Sequence, residues 1–335
     1  VLALAAFAAA ALAALAGCAP AAPQPPYGAL QVKDGRISDS KGKPVQLRGL
    51  STNGLQRFPY IVNPAAFHAL KEDWGADVVR LAMYITEGGY RARPELKDLV
   101  MKGIDLAVAE GLYVIVDWHI LTPGNPNDPA YAGAEAFFAD IAKKYGRCPN
   151  VIYEIMNEPN GKVSWAADLK PYAEKLVKTI RRYAPESLIL IGSGTWSQEV
   201  DVAAADPVAG KNLAYTVHFY AGTHGQELRD RIDRALAAGQ AVFSSEWGTS
   251  LASGNGGPYL DKAAEWLDFL DARGIGWANW SLSNAGESSA ALHGQAVPLI
   301  PNFDRGGVLS WSDQQLTPSG RWVRARLRGE APSDE

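Results

Sequence analysis

Eight short apolar, largely β-branched runs recur along the chain, separated in most cases by longer stretches with helical spacing. They cover Val45–Thr52, Asp77–Tyr84, Tyr113–His119, Val151–Glu158, Leu188–Gly194, Leu213–Tyr220, Ala241–Gly248 and Gly274–Leu282. Their interiors (VIV, VIYEIM, LILIG) are almost unbroken apolar sequence, as parallel strands covered on both faces require. Between them, Lys97–Glu110 places Leu99, Val100, Gly103, Ile104, Ala107 and Val108 on one helical face, and Asp168–Ala184 and Tyr259–Arg273 behave alike. Pro64 and Pro94 stand where helix starts are expected, Gly111 and Gly274 where helix ends are expected. Eight βα units favour an α/β protein built as a single closed (β/α)8 barrel over an open sheet. A hairpin at Leu30–Leu47, with turns at Asp34-Gly35 and Lys41-Gly42, is expected to cap the barrel bottom. A last helix is expected at Pro318–Leu327.

The flanks read differently. Residues 1–17, VLALAAFAAAALAALAG, carry no charge and form a signal-type apolar run. The run starts with Val and lacks a basic leader, so its true start is expected upstream. It closes on Leu15-Ala16-Gly17-Cys18, which resembles the bacterial lipobox, with Cys18 as the lipidated residue; the alternative is a general secretory signal and an incidental cysteine. Residues 18–29 read as a Pro-rich tether, 30–329 as the catalytic domain and 330–335 as a polar tail. The expectation is a bacterial, extracytoplasmic protein, anchored to a membrane through Cys18 or secreted, acting as a monomer. With Cys18 used in this way, Cys148 is expected to be a free, partly buried thiol.

The 335 residues carry 32 Lys and Arg against 36 Asp and Glu, a net charge of −4, which gives no footprint for a nucleic-acid backbone. Two cysteines and five histidines exclude a disulfide scaffold and leave no room for a cysteine- or histidine-rich metal site. No metal or cofactor is expected. GSGTWS (192–197) lacks the last glycine of a dinucleotide loop, and GTSLA (248–252) fails as a nucleophile elbow. Ten tryptophans supply candidate stacking surfaces. Trp118, Trp247 and Trp277 read as packing, and His68, His224 and His293 as surface or loop residues without partners.

In such barrels the chemistry sits at the carboxyl ends of the strands. Those ends carry Arg80 and Tyr84, Asp117-Trp118-His119, Asn157-Glu158-Pro159, His218-Phe219-Tyr220, Glu246-Trp247-Gly248 and Trp280. A lone carboxylate on a strand buried on both faces is costly, so two of them converging with Arg, His and Tyr argue for a site. Paired carboxylates suit retaining glycoside hydrolysis, in which one group protonates the leaving oxygen while the other attacks the anomeric carbon. An arginine or a tyrosine hydroxyl beside one carboxylate favours its charged form, a service Arg80 and Tyr220 could give the nucleophile. Asp117 reads as structural, holding a loop or an arginine.

Taken together, LRGLSTNGLQ (47–56), VVRLAMY (78–84), YVIVDWH (113–119), VIYEIMNEPNG (151–161), GTWSQEVD (194–201), VHFYAGTHGQ (217–226), FSSEWGTS (243–250) and WSLSNAGESSAAL (280–292) resemble glycoside hydrolase family 5. Within it they are similar to the secreted bacterial endo-β-1,4-glucanases, over nearly all of residues 29–329. The resemblance implies Glu158 as acid/base, Glu246 as nucleophile, Asn157 toward the sugar 2-hydroxyl and Arg80 holding Glu246 ionised. It also implies His218 beside the acid/base, Tyr220 donating to Glu246, and His119, Tyr84 and Trp280 in the subsite beside the cleaved bond. Trp196 falls on the leaving-group side, and Asn53 and Glu287 among the glycone contacts. Asn53, Arg57 and Ala285 stand where relatives often carry His, Trp and Lys. The implied activity is retaining hydrolysis of internal bonds in cellulose-like β-glucans without a cofactor. The alternatives are the same mechanism on mannan, xylan, mixed-linkage glucan or xyloglucan, or a non-catalytic glycan-binding surface lipoprotein.

Overall fold

The computed structural model describes residues 23–330. The signal run, Cys18 and most of the polar tail lie outside them. Among the described residues no helix is long and apolar enough to cross a membrane.

Two strands, β1 (Gln31–Lys33) and β2 (Arg36–Ser38), form the expected hairpin across Asp34 and Gly35, both at positive φ. Eight parallel strands follow: β3 (Arg48–Thr52), β4 (Val78–Tyr84), β5 (Tyr113–His119), β6 (Val151–Glu154), β7 (Ile189–Ile191), β8 (Leu213–Tyr220), β9 (Ala241–Gly248) and β10 (Trp277–Leu282). They close into a barrel in chain order, with β10 pairing back onto β3. The (β/α)8 expectation is met.

Every residue of β4, β5, β8, β9 and β10 is buried, which explains their continuous apolar sequence. The layer between sheet and helices forms one large apolar cluster. A second cluster joins barrel residues Val78, Ile115, Ile152, Leu190 and Phe243 to Leu30, Ile37 and Val45, so the hairpin plugs the barrel bottom. The tyrosine hydroxyl of Tyr113 donates to the Gly28 carbonyl at 2.7 Å and ties down the segment before the hairpin.

Helix boundaries follow the local chemistry. Pro64 opens the helix Pro64–Glu72 under the Asn63 cap, whereas Pro94 lies two residues before the helix Leu96–Ala109. Gly274 closes Leu260–Arg273 in the left-handed region at φ 65°, where a side chain on Cα would be strained. The last helix runs Pro318–Arg328.

Two expectations need correction. Strands β6 and β7 are shorter than their apolar runs, so Asn157 and Glu158 lie on the loop beyond β6. Cys148 is not a free thiol: it is disulfide-bonded, and no described cysteine is free. The burial that suits a quiet thiol equally suits a protected disulfide, and sequence alone does not separate them.

Candidate active site

Arg80 is the hub. It projects from β4 and is wholly buried. Its Nε donates to Glu154 Oε2 at 2.7 Å, Nη1 to Glu246 Oε2 at 3.1 Å and Nη2 to Asn157 Oδ1 at 2.6 Å, and Nη2 also lies 3.0 Å from Asp117 Oδ2. A buried guanidinium is tolerated only with such compensation. Burial opposes its charge, but Asp117, Glu154 and Glu246 raise its pKa overall. Burial likewise opposes ionisation of Glu154, yet Arg80 and His218 bring its pKa down to about 2. Burial pushes the Asp117 carboxyl up against the pull of Arg80.

Glu246, near the end of β9, accepts on both oxygens. Oε2 takes the Arg80 bond, and Oε1 takes the Tyr220 hydroxyl at 2.8 Å. Glu158 has different company. Its Oε1 lies 2.9 Å from His218 Nδ1, His218 Nε2 lies 2.9 Å from Ser245 Oγ, and Ser245 Oγ donates to Glu154 Oε1 at 2.6 Å. Because the Ser245 proton is spent on Glu154, its oxygen accepts from His218 Nε2–H. Burial works against a charged His218, but Glu154, 3.7 Å from Nε2, and the bonded Glu158 carry the pKa up to about 9, so both ring nitrogens donate at neutral pH. One oxygen of Glu158, one of Glu246 and a ring nitrogen of His218 lie within 4.8 Å of one another.

His119 is of opposite character. Burial, then Arg80, drives its pKa down to about 4 and leaves it neutral. Asn157 offers its carbonyl to Arg80, so its amide faces His119 Nε2 at 3.3 Å. His119 Nδ1–H therefore donates to Asp117 at 2.6 Å. The His119 ring stacks on Tyr84 (4.0 Å between centroids, 21° between planes) and lies nearly parallel to Trp280 (5.6 Å, 23°).

These groups open into a cleft of about 680 Å³, lined among others by Tyr84, His119, Glu158, Trp196, Tyr220, Glu246, Trp280 and Glu287. This is within the usual size range of ligand pockets, about 300–1,000 Å³. Trp196 is 46% exposed on its wall. It sits in a turn whose three consecutive residues, Thr195, Trp196 and Ser197, hold φ of 52°, 53° and 58°. Such geometry costs about 1–2 kcal/mol per non-glycine residue. Burial raises the pKa of Glu287. Asn53 is buried outside the cleft lining, its carbonyl accepting from the Gly54 N–H at 2.6 Å. Arg57 pairs with Glu87 at 2.5 Å and lies 5.8 Å from the Tyr84 ring centroid.

The residues named at the strand ends thus converge, Asn53 apart. Asp117 holds Arg80 as expected, and Trp118, Trp247 and Trp277 are buried in packing. His224 is a correction: it lines the cleft and its Nδ1 accepts the Tyr220 N–H at 2.8 Å, a local bond that patterning does not reveal. His68 also has a partner, Glu110, at 3.0 Å. Sequence reasoning missed Glu154 and Ser245. Glu154 carried the signal that marked Glu158, a carboxylate inside a strand buried on both faces.

Residues 38–286 match the family model for cellulases of glycosyl hydrolase family 5. The chain belongs to glycosyl hydrolase family 5. It is 48% identical over 305 residues to Endoglucanase 5 of Pectobacterium carotovorum subsp. carotovorum, covering 91% of this chain and 58% of that protein. It is 46% identical over 307 residues to an endoglucanase of Clostridium saccharobutylicum, covering 90% of this chain and 65% of that one. The chain therefore spans about three fifths of the length of these relatives. Among solved structures, the catalytic domain of Thermobifida fusca endoglucanase Cel5A superposes with a TM-score of 0.82 at 39% identity, covering 90% of this chain and 98% of that domain.

Proposed function

We propose that the protein is a retaining endo-β-1,4-glucanase acting on cellulose-like glucans. The observation that carries this reading is the approach of Glu158 and Glu246 oxygens within 4.8 Å, each with its own partners. Retaining enzymes hold their two carboxyl groups about 5–5.5 Å apart, whereas inverting enzymes leave room for a water.

Glu246 accepts from two donors, Arg80 and the Tyr220 hydroxyl, the arrangement of a nucleophile. It attacks the anomeric carbon and forms a glycosyl-enzyme. Glu158, on the opposite loop and tied to His218, protonates the departing oxygen and then takes a proton from the water that releases the sugar. Asn157 is assigned to the sugar 2-hydroxyl by its place beside Glu158; its carbonyl is held by Arg80 and its amide by His119 and the Ile120 carbonyl. Tyr84, His119 and Trp280 offer parallel rings for a glucosyl unit, Trp196 a platform on the leaving side, and Glu287 an acceptor on the glycone side. The named relatives, endoglucanases, support the substrate class.

Release of reducing sugar from carboxymethyl cellulose, mixed-linkage glucan, glucomannan and xylan tests this. Activity on the glucans that collapses in Glu158→Gln and Glu246→Gln is expected. Activity confined to mannan or xylan would move the substrate to another β-glycan and trace it to the Asn53, Arg57 and Ala285 differences. Tight oligosaccharide binding without hydrolysis would make it a glycan-binding protein.

We further place the protein outside the cytoplasm, where disulfides persist. Anchoring through Cys18 is supported by the lipobox-like sequence alone. Intact-mass measurement of the mature protein tests for a lipid on Cys18.

A further inference from the structure

The loop that carries Glu158 has left the β-ladder, since β6 ends at Glu154. Something else must fix the peptide planes that aim its side chain. Three consecutive carbonyls on this loop each accept a hydrogen bond, two from the turn at 195–197 and one from Asn160 of the loop itself. Asn157 O accepts from Ser197 Oγ at 2.6 Å, Glu158 O from Asn160 Nδ2 at 2.9 Å, and Pro159 O from the Trp196 N–H at 2.9 Å.

Two of the three donors belong to the left-handed turn Thr195–Ser197. Ser193 N–H, at 3.4 Å from Ser197 Oγ, occupies that oxygen as a donor and leaves its proton for Asn157 O. Ser197 is fully buried, so the bond to Asn157 O is shielded from water. Asn160 also donates to the Leu121 carbonyl at 2.5 Å, and its own N–H reaches Gly124 O at 3.2 Å, which ties the Glu158 loop to the loop after β5. The cost of three left-handed non-glycine residues is unexplained by packing alone. It is explained if the turn exists to place an N–H and a hydroxyl on these carbonyls.

We propose that Ser197 and Asn160 are positioning residues that clamp the Glu158 loop and so aim its carboxyl at the leaving oxygen. The proposal rests on the reading of Glu158 as the acid/base. It separates proton delivery from nucleophilic attack, because Glu246 is aimed by Arg80 and Tyr220 and touches neither clamp residue. Trp196 shares the turn, so a sugar resting on its ring bears on the same clamp.

The test uses two substrates that differ in their need for a proton. Cellotetraose expels a sugar hydroxyl and requires acid assistance; 2,4-dinitrophenyl β-cellobioside expels a phenolate and does not. kcat/KM reports formation of the glycosyl-enzyme in both cases. Ser197→Ala and Asn160→Ala are each expected to lower kcat/KM on cellotetraose about tenfold, part of the 10²–10⁴ that acid catalysis supplies. On the dinitrophenyl substrate the loss is expected to stay below about threefold. Equal losses on both substrates, or no loss on cellotetraose, would overturn the clamp. Glu158→Gln serves as reference. If it spares the dinitrophenyl substrate while the clamp variants do not, the clamp fails and the acid/base reading stands. If Glu158→Gln itself hits both substrates equally, the acid/base reading fails first. Circular dichroism establishes that each variant is folded. Should buried Ser197 not tolerate alanine, the half-buried Asn160 variant decides alone.

Discussion

At the scale of single residues, one cation organises the site and two histidines of opposite protonation divide it. His218 and His119 are both buried, yet the first is held charged by carboxylate neighbours and the second neutral by burial and Arg80. The sign of each consequence is fixed. A pKa raised to about 9 means that His218 contributes stability that is fully present below the unfolded value near 6.5. That contribution is lost as pH rises through 9. The depressed pKa of His119 works the other way, removing stability as pH falls from about 6.5 to 4. Thermal unfolding across pH 6–10 is expected to show the alkaline decline in the wild type and to lose most of it in His218→Asn. An unchanged decline would put its origin elsewhere. For the carboxylates, Glu158→Gln and Glu246→Gln are expected to fold normally and lose at least about 10²–10⁴-fold in cellulose hydrolysis. Most of this site was legible because a carboxylate on a fully buried strand demands a reason. Glu154 escaped because the apolar run carried the expected strand on to Glu158 and hid its true end at Glu154, and His224 because its partner is a backbone N–H four residues away.

At the scale of elements, strand identity followed from apolar continuity, but strand ends did not. Periodicity sees burial, and residues 155–158 remain buried after they leave the ladder. The departure is what brings Asn157 and Glu158 into the mouth. The left-handed turn at 195–197 was likewise invisible, since neither Thr nor Trp favours positive φ and only tertiary bonds keep them there. One strand residue is constrained by space. A Cβ on Gly49 in β3 would stand 1.7 Å from the Val78 carbonyl oxygen of β4. Gly49→Ala is therefore expected to cost about 3 kcal/mol or more, read by urea unfolding, or to prevent soluble expression. A stable, soluble variant would show that the β3–β4 seam can spread.

At the scale of the whole molecule, eight βα repeats were enough to predict closure, and the bottom hairpin was legible from its turns. The long excursion between β10 and the last helix was not, because it has neither period. It is held instead by charge. Buried Asp73 bonds to Arg328 and Ser310, and its carbonyl accepts from Arg328 Nε at 2.6 Å. Arg305 and Arg324 share Asp313 above it. This clasp fastens the C-terminal helix across the first helix of the barrel. Breaking such a pair by removing one partner costs about 3–5 kcal/mol when it is fully buried, and Arg328 is partly exposed, so Asp73→Ala is expected to cost about 2–3 kcal/mol. Calorimetry would show a lowered Tm with the cleft residues untouched. No change in Tm would mean that packing alone closes the barrel.

The central claim is that Glu246 attacks the sugar directly while Glu158 delivers the proton. Proton NMR of the first product formed from cellotetraose tests it most directly, before mutarotation sets in. The account predicts the β-anomer. An α-anomer would contradict it and remove Glu246 from the nucleophile's role.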